Sequence, residues 1–211
     1  MLIMTEPDRD SGVKRGDTIS ENHLEKWFVL HAGEDEFLKI IPEWENKCDN
    51  IALYDQFPCG LFYVNKENPN RLFNHGAFDL WGIDGEGNIC LFELKEEKNH
   101  SLGIISELFF YSCLIKDFKS IVKNSPMEKK FRGFDKFCEA KGDIKAYFLA
   151  PKLYSFIEDN MSAVLEKMNE RNDGVTYDYI GFNQDKVVGG NVEAFIEKLR
   201  EEWAVKSKEG H

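Results

Sequence analysis

The spacing of apolar residues along the chain switches several times between the helical period of about 3.6 and the strand period of about 2. Up to residue 150 the switches predict the order helix, strand, strand, strand, helix, strand, with the first strand split around Pro58 into residues 51–54 and 60–64. The predicted helices cover residues 18–31, 101–123, 154–169 and 192–203, and the predicted strands cover residues 51–54, 60–64, 77–83, 89–95, 144–150 and 175–182. Helices and strands that alternate in this way indicate an α/β domain.

The same pattern sets the expected domain boundaries. Residues 1–17 are polar and lack periodicity, which predicts a flexible N-terminal arm. Residues 18–205 are predicted to form a single domain, in which the acidic segment 33–49 is a short helix or a connection, and residues 206–211 form a C-terminal tail. A chain of 211 residues is long enough to bury a sizeable core in one domain.

The clearest local pattern lies in residues 77–95. Two apolar runs flank the glycine-containing insert 84–88, and this arrangement predicts a β-hairpin with a five-residue loop. A hairpin folded about Glu86 brings three pairs of residues opposite each other: Ile83 and Ile89, Trp81 and Leu91, Asp79 and Glu93.

Three charged residues lie at the open end of this predicted hairpin. Because side chains alternate along a strand, Lys95 emerges on the same face as Glu93, near Asp79 on the other strand. Both strands are otherwise apolar on both faces, which is typical of a sheet that is covered on both sides. Charged groups are expensive to bury unless they are paired. A functional site and a structural ion pair on the sheet, Lys95 with Glu93 or Asp79, are both consistent with this pattern.

The acid-x-Lys spelling is not informative by itself, because it occurs seven times in the chain. Glu93 and Lys95 differ from the other six pairs by their context. They end an apolar strand, and a carboxylate, that of Asp79, lies opposite in the hairpin. The context therefore distinguishes this pair from the others.

Composition narrows the class of protein. A hydrophobic content of 42% excludes a disordered chain, and no apolar run approaches the roughly 20 residues of a membrane helix. The N-terminal residues lack the apolar core of a signal peptide. Five cysteines without a C-x-x-C pair are typical of buried thiols rather than a disulfide framework or a zinc site. We therefore expect a cytoplasmic protein with no membrane partner.

The net charge of −11 argues against nucleic acid as a default partner. The distribution of charge weakens this objection, because residues 116–145 hold nine basic and five acidic residues, a net charge of +4 against −15 for the remainder. Lys129, Lys130 and Arg132 lie in this stretch and are the candidate nucleic-acid-binding residues. The alternative is a solvated helix face whose interleaved phenylalanines point into the core.

The order of elements and the hairpin charges together resemble the PD-(D/E)xK nuclease superfamily, over about residues 18–150. Phe78-Asp79 stands where the motif has Pro-Asp, and Glu93-Leu94-Lys95 matches the second half of the motif. On the following helix, residues 105–111 resemble a further motif, with Glu107 where many members carry Gln. On the first helix, residues 21–27 resemble the motif whose glutamate assists the metal.

This resemblance implies a restriction-endonuclease-like αβββαβ core: a mixed central sheet flanked by helices, with an extra C-terminal strand and helices. It also implies metal-dependent hydrolysis of nucleic acid, DNA in the first place, with Mg²⁺ or Mn²⁺ as cofactor. The expected metal ligands are Asp79, Glu93 and the backbone carbonyl of Leu94, which suit hard cations.

Lys95 is expected to orient the attacking water and to offset negative charge, rather than to act as a general base. Glu21 and Glu107 complete the candidate catalytic set. Glu21 is alternatively a plain capping-box residue, and neighbouring Glu25 is alternatively solvated. A catalytically silent binding or assembly module of the same fold remains the alternative function. A homodimer or a partner protein is left open.

Overall fold

A computed structural model describes residues 2–4, 12–48, 50–63, 67, 69, 77–98, 103–124, 132–153, 155–170 and 174–209. Sixteen elements lie in these ranges. In chain order they are β1 (Leu2–Met4), α1 (Glu21–His31), α2 (Asp35–Ile40), α3 (Glu43–Lys47), β2 (Ala52–Pro58), β3 (Leu61–Tyr63), β4 (Ala77–Ile83), β5 (Ile89–Leu94), α4 (Gly103–Asn124), α5 (Phe134–Glu139), β6 (Ile144–Ala150), α6 (Ser155–Asp159), α7 (Met161–Asn169), β7 (Val175–Gly181), α8 (Gln184–Val188) and α9 (Val192–Glu209).

The centre of the fold is a five-stranded sheet with the strand order β2-β4-β5-β6-β7. β2, β4 and β5 pair antiparallel, whereas β5, β6 and β7 pair parallel. Parallel neighbours require crossovers, and helices α4 and α5 connect β5 to β6 while α6 and α7 connect β6 to β7. This mixed sheet confirms the predicted α/β class, and its strand order and directions are consistent with a restriction-endonuclease-like fold.

Helices cover both faces of the sheet, as the apolar strands predicted. One buried cluster joins the α4 side of the sheet to α4 and α5, and its members include Trp81, Leu91, Phe148, Ile104, Leu108 and Phe137. The other joins the opposite face to α1, α3 and α9, and its members include Leu80, Phe92, Leu149, Phe28, Trp44 and Leu199. Every residue of β5 is buried, which explains why its sequence is apolar on both faces.

The hairpin forms in the predicted register. Trp81 pairs with Leu91 and Ile83 pairs with Ile89 across β4 and β5. In the turn between them, Gly87 has φ 84°, a left-handed conformation that glycine adopts without a steric cost. The register places the open ends of β4 and β5 side by side.

Two predicted strands form, but one is longer than predicted and the other belongs to a separate sheet. β2 continues through Pro58 instead of ending at Tyr54, because β2 is an edge strand and a proline at its end breaks no interior ladder bond. The segment predicted at 60–64 lies outside the main sheet: β3 pairs antiparallel with β1 in a separate two-stranded sheet. Part of the predicted N-terminal arm is therefore a strand, formed by the apolar residues of β1.

Several helix predictions also need correction. α4 is not buried all round, since the Phe109 and Phe110 side chains are 49% and 43% exposed. The single helix predicted at 154–169 is divided at Asn160, whose backbone carbonyl starts α7. α9 continues past residue 203 into the predicted tail, where the Lys206 ammonium donates to the carbonyl of Val29 at 2.6 Å. Ser101, the predicted cap of the second helix, lies outside the described residues.

Candidate active site

The candidate site lies where the open ends of β4 and β5 meet α1 and α4. Along β5, Leu91 faces the cluster on the α4 side while Phe92 and Leu94 face the other cluster. Glu93 therefore points toward α4, and Lys95 follows on the same side. Glu93 is 4% exposed and Lys95 is 7% exposed, so both charges lie almost entirely inside the protein.

Lys95 is the cation around which the carboxylates gather. Its Nζ lies 2.6 Å from Glu93 Oε1, 3.3 Å from Glu107 Oε2 and 3.9 Å from Glu21 Oε1. Burial alone would lower the pKa of Lys95, but the nearby charges of Glu93 and Asp79 raise it above its ordinary value. This direction favours the charged form of Lys95, and its predicted role in charge stabilisation stays a prediction.

Asp79 lies on β4 beside this cluster. Its Oδ2 accepts a hydrogen bond of 2.8 Å from the backbone N–H of Leu94, which ties the ends of β4 and β5 together. Desolvation, followed by the charge of Glu25, raises the pKa of Asp79 to about 8. Desolvation and the charge of Asp79 likewise raise the pKa of Glu93 to about 9.

Glu107 shares a hydrogen bond with Glu93. This bond lowers the pKa of Glu107 and raises that of Glu93, so the proton resides on Glu93. The Glu107 side chain is 47% exposed, and one turn further along α4 the Tyr111 ring packs against Phe78 with their centroids 5.2 Å apart. The motif on α4 thus places Glu107 in the site, and the exposed part of the Glu107 side chain links the site to solvent.

Glu21 is the first residue of α1, and its alternative assignment as a capping-box partner was wrong. The backbone N–H of Ser20 donates instead to His23 Nδ1, at 3.1 Å. His23 Nε2 in turn contacts the carbonyl of Lys14 at 2.9 Å. Glu21 Oε1 instead lies 3.9 Å from the Lys95 ammonium, and its role in assisting a metal stays a prediction.

Glu25 and Gln56 belong to the site, although the sequence did not reveal their part in it. Glu25 is 5% exposed, so the expectation that it is solvated was wrong. Gln56 Nε2 donates to Glu25 Oε2 at 2.9 Å, and burial raises the pKa of the Glu25 carboxyl. A glutamate one helical turn after Glu21 was the available signal for Glu25. Gln56 carried no such signal.

Of the three predicted nucleic-acid-binding residues, the structure describes Arg132. Lys129 and Lys130 fall outside the described residues. Arg132 NH1 lies 3.7 Å from Asp55 Oδ1, and its guanidinium lies 5.5 Å from the centre of the Trp203 ring. Two of the interleaved phenylalanines, Phe134 and Phe137, are buried in the core. These contacts give part of the stretch a structural use, and its role in binding stays a prediction.

The chemistry of the donors suits a divalent cation. Asp79 and Glu93 present hard oxygen ligands, and both hold protons near neutral pH because of burial and mutual repulsion. A cation that displaces those protons would remove the repulsion. Within the described ranges, no group of three or more His, Cys, Asp or Glu side chains is placed to hold a metal ion. The predicted ligand set, two carboxylates and the backbone carbonyl of Leu94 completed by water and phosphate, stays a prediction.

No known protein family matches the chain, and neither does any curated protein. A solved structure similar to the chain is that of a repair endonuclease from Pyrococcus abyssi, with 15% sequence identity and a TM-score of 0.32. The match covers 80% of this chain and 50% of that one, so the chain spans half the length of the endonuclease. At this TM-score the similarity says nothing about function, and the fold class follows from the strand order itself. None of the described helices is both long and apolar enough to cross a bilayer.

Proposed function

We propose that the protein hydrolyses phosphodiester bonds of nucleic acid, in the first place DNA, with Mg²⁺ or Mn²⁺ as cofactor. One observation carries the proposal: the carboxyls of Asp79 and Glu93 end neighbouring strands of a buried sheet, Glu93 lies 2.6 Å from the buried ammonium of Lys95, and Asp79 accepts the Leu94 N–H at 2.8 Å. A structural ion pair has no need of the second carboxylate, which only adds repulsion.

Asp79, Glu93 and the backbone carbonyl of Leu94 would hold the cation. When bound, the cation supplies Lewis acidity, which neutralises charge on the phosphoryl oxygens and makes a coordinated water more acidic. Asp79 is already fixed for this task by the N–H of Leu94, at 2.8 Å. The preorganised geometry means that little rearrangement is needed when substrate arrives.

Lys95 would orient the attacking water and stabilise the charge that develops on the phosphate. Because neighbouring carboxylates raise its pKa, it stays protonated and donates hydrogen bonds throughout. Glu93 must lose its proton to ligate a cation. Glu107 accepts a hydrogen bond from that proton and is half exposed, so it offers the proton a route to solvent.

The test is cleavage of single-stranded and duplex DNA oligonucleotides with Mg²⁺, Mn²⁺ or a chelator. We expect metal-dependent cleavage by the wild type and none by Asp79→Asn. Glu86→Gln is the matched control, because Glu86 is an exposed acid at the other end of the same hairpin, and it should cut like the wild type. A wild type that cuts neither substrate with either metal would overturn the proposal, and binding of the same oligonucleotides without cleavage would support a silent module instead.

A further inference from the structure

Two phenylalanines are exposed side by side on α4. Phe109 and Phe110 are exposed to a similar degree, and they are two of the large apolar side chains that the described part of the chain exposes to solvent. Phenylalanine is a poorer helix former than the lysine or glutamate that usually occupies such a position. Clustered apolar side chains on a protein surface commonly mark an interaction site.

Phe110 lies on the same side of α4 as Glu107, whereas Phe109 does not. Residues three apart on a helix are neighbours, with about 5–6 Å between their Cβ atoms, but residues two apart do not face each other. Glu107 Oε2 lies 3.3 Å from the Lys95 ammonium. Phe109 instead stacks against Tyr177 of β7, with ring centroids 6.0 Å apart. Phe110 is therefore the exposed ring that borders the candidate site.

A row of aromatic rings joins Phe110 to the strand that carries Asp79. The rings of Phe110 and Tyr111 lie 5.4 Å apart, centroid to centroid, with 64° between their planes. Tyr111 is half-buried and lies 5.2 Å from the ring of Phe78, which is fully buried and precedes Asp79 on β4. Aromatic pairs at these distances attract each other. These contacts hold the exposed ring beside the site.

The charge of the protein limits how it can hold nucleic acid. Proteins that bind duplexes gain much of their affinity from lysine and arginine contacts to phosphates. This chain has a net charge of −11, and the carboxyls of Glu21, Glu93 and Glu107 surround Lys95 in the site. Stacking of a base on an aromatic ring needs no positive charge and accepts any base. An exposed ring beside the site supplies an attraction that the negative charge does not oppose.

Stacking also selects the form of the nucleic acid. Inside a duplex each base is already stacked between its neighbours, whereas the bases of single strands, loops and ends can lie on a protein ring.

We infer that Phe110 stacks on an unpaired base next to the phosphodiester that is cut, so the substrate is single-stranded nucleic acid. The inference rests on the proposed function, because it takes the carboxyls and Lys95 as the place where the phosphodiester lies. Phe110 is a specificity-determining residue in this arrangement, since it binds the substrate and takes no part in the chemistry.

The first test measures binding of a fluorescent oligothymidylate by anisotropy, with Ca²⁺ in place of Mg²⁺ and the oligonucleotide checked for integrity afterwards. We expect Phe110→Ala to weaken binding about tenfold, the scale for the loss of one stacked base. Phe110→Trp should bind as the wild type does, because it keeps a ring. An oligonucleotide of abasic sugars has the same phosphates without bases, so the wild type and Phe110→Ala should bind it equally.

Phe109→Ala is the matched control, since it removes the same side chain from the same helix at a similar exposure. It should bind oligothymidylate as the wild type does. Equal losses in Phe109→Ala and Phe110→Ala would overturn the inference. So would light scattering that shows a wild-type dimer and a monomeric Phe110→Ala, because the ring would then belong to an interface between two copies.

The second test compares kcat/KM on a single strand and on a blunt duplex of the same sequence. Phe110→Ala should lower the value about tenfold on the single strand and leave the duplex value unchanged. A wild type that cuts DNA, with Phe110→Ala equal to it on both substrates, would overturn the role of Phe110 while hydrolysis stands. A wild type that cuts neither substrate but binds oligothymidylate through Phe110 would refute hydrolysis and support stacking. A wild type that neither binds nor cuts would refute both.

Discussion

The pKa values of buried carboxyls shift in opposite directions at the two ends of the β4–β5 hairpin. At the turn, Asp84 Oδ1 accepts from the backbone N–H groups of Glu86 and Asn88, at 3.0 and 2.9 Å. Its Oδ2 accepts from Asn88 Nδ2 at 3.0 Å and from Lys145 Nζ at 2.9 Å. Desolvation would raise the pKa of Asp84, but these donors outweigh it and lower the pKa below its ordinary value. The turn end stabilises an ionised carboxylate with the protein's own groups.

At the open end the carboxylates outnumber their donors. Asp79 and Glu93 share Lys95 with Glu21 and Glu107, and the pKa values of the first two rise to about 8 and about 9. The pKa of an aspartate in the same hairpin is thus lowered at one end and raised at the other. This difference is what the proposed cation site at the open end would produce.

Removing the carboxylate should have the largest effect on folding at the turn end. Asp84→Ala leaves Lys145 and the turn amides without their acceptor, which should cost about 2–3 kcal/mol and lower the melting temperature by about 5–10 °C. Asp79→Asn should leave the metal-free melting temperature unchanged or higher, because it removes repulsion. Thermal melts in chelator compare the two variants. Equal losses would show that both ends are structural.

Substitution of the two lysines, Lys95 at the open end and Lys145 at the turn, should also distinguish a catalytic end from a structural one. Lys95→Ala should lower turnover by about 10²-fold, the usual scale for one preorganised charge-stabilising group, while Mn²⁺ binding persists because the ligands remain. Lys145→Ala should lower stability and leave turnover of the folded enzyme intact, since its partners are Asp84 and Glu86. Steady-state cleavage rates and melts of both variants provide the measurement, and a loss of turnover in Lys145→Ala would break the distinction.

The pH dependence of stability should differ in sign between the ends. The pKa values of Asp79 and Glu93 rise from 3.8 and 4.5 to about 8 and about 9, so the folded state binds their protons more tightly than the unfolded state. Their contribution is full below pH 4 and is lost as the pH rises toward 9. The pKa of Asp84 is lowered, so Asp84 adds stability at pH values above the ordinary pKa of an aspartate. This stability is lost as the pH falls into the acid range. Metal-free melts from pH 3 to 9 should show both trends. Asp79→Asn should flatten the alkaline side alone.

The smallest effect is expected from substitutions in the basic stretch 116–145. One of its residues, Lys145, already contacts Asp84 and Glu86 at the hairpin turn. Lys129→Glu together with Lys130→Glu should weaken DNA binding and flatten its salt dependence by about one unit of slope per lost phosphate contact. Arg132 is kept, because a glutamate there would face Asp55 and destabilise the fold. Binding titrations at several salt concentrations measure the slope. The stretch would be a solvated face if the slope stayed the same.

The sequence predicted most of the open end because that end follows local rules. Hairpin register and strand alternation predicted that Asp79, Glu93 and Lys95 lie together, and the resemblance to the nuclease superfamily pointed to Glu107. These rules require only the order of residues within one or two neighbouring elements.

The sequence did not predict contacts between residues that lie far apart along the chain. Glu25 and Lys26 look like a solvated stripe on α1, yet both are buried, because Gln56 and Asp55 of β2 bind them. The backbone of Gln56 is left-handed, with φ 55°, and it has no local signal, since glutamine neither favours nor marks that conformation. The pairing of β1 with β3 joins segments about 60 residues apart and was likewise not readable.

The left-handed conformation of Gln56 in β2 also bears on how the protein behaves in crowded solution. β2 forms one border of the five-stranded sheet, and such borders invite a strand from another molecule to add on. The left-handed turn at Gln56 misaligns the row of backbone groups, and Pro58, two residues later, has no N–H to offer. The left-handed turn at Gln56 and the missing N–H of Pro58 thus both discourage the addition of a strand from another molecule at this edge.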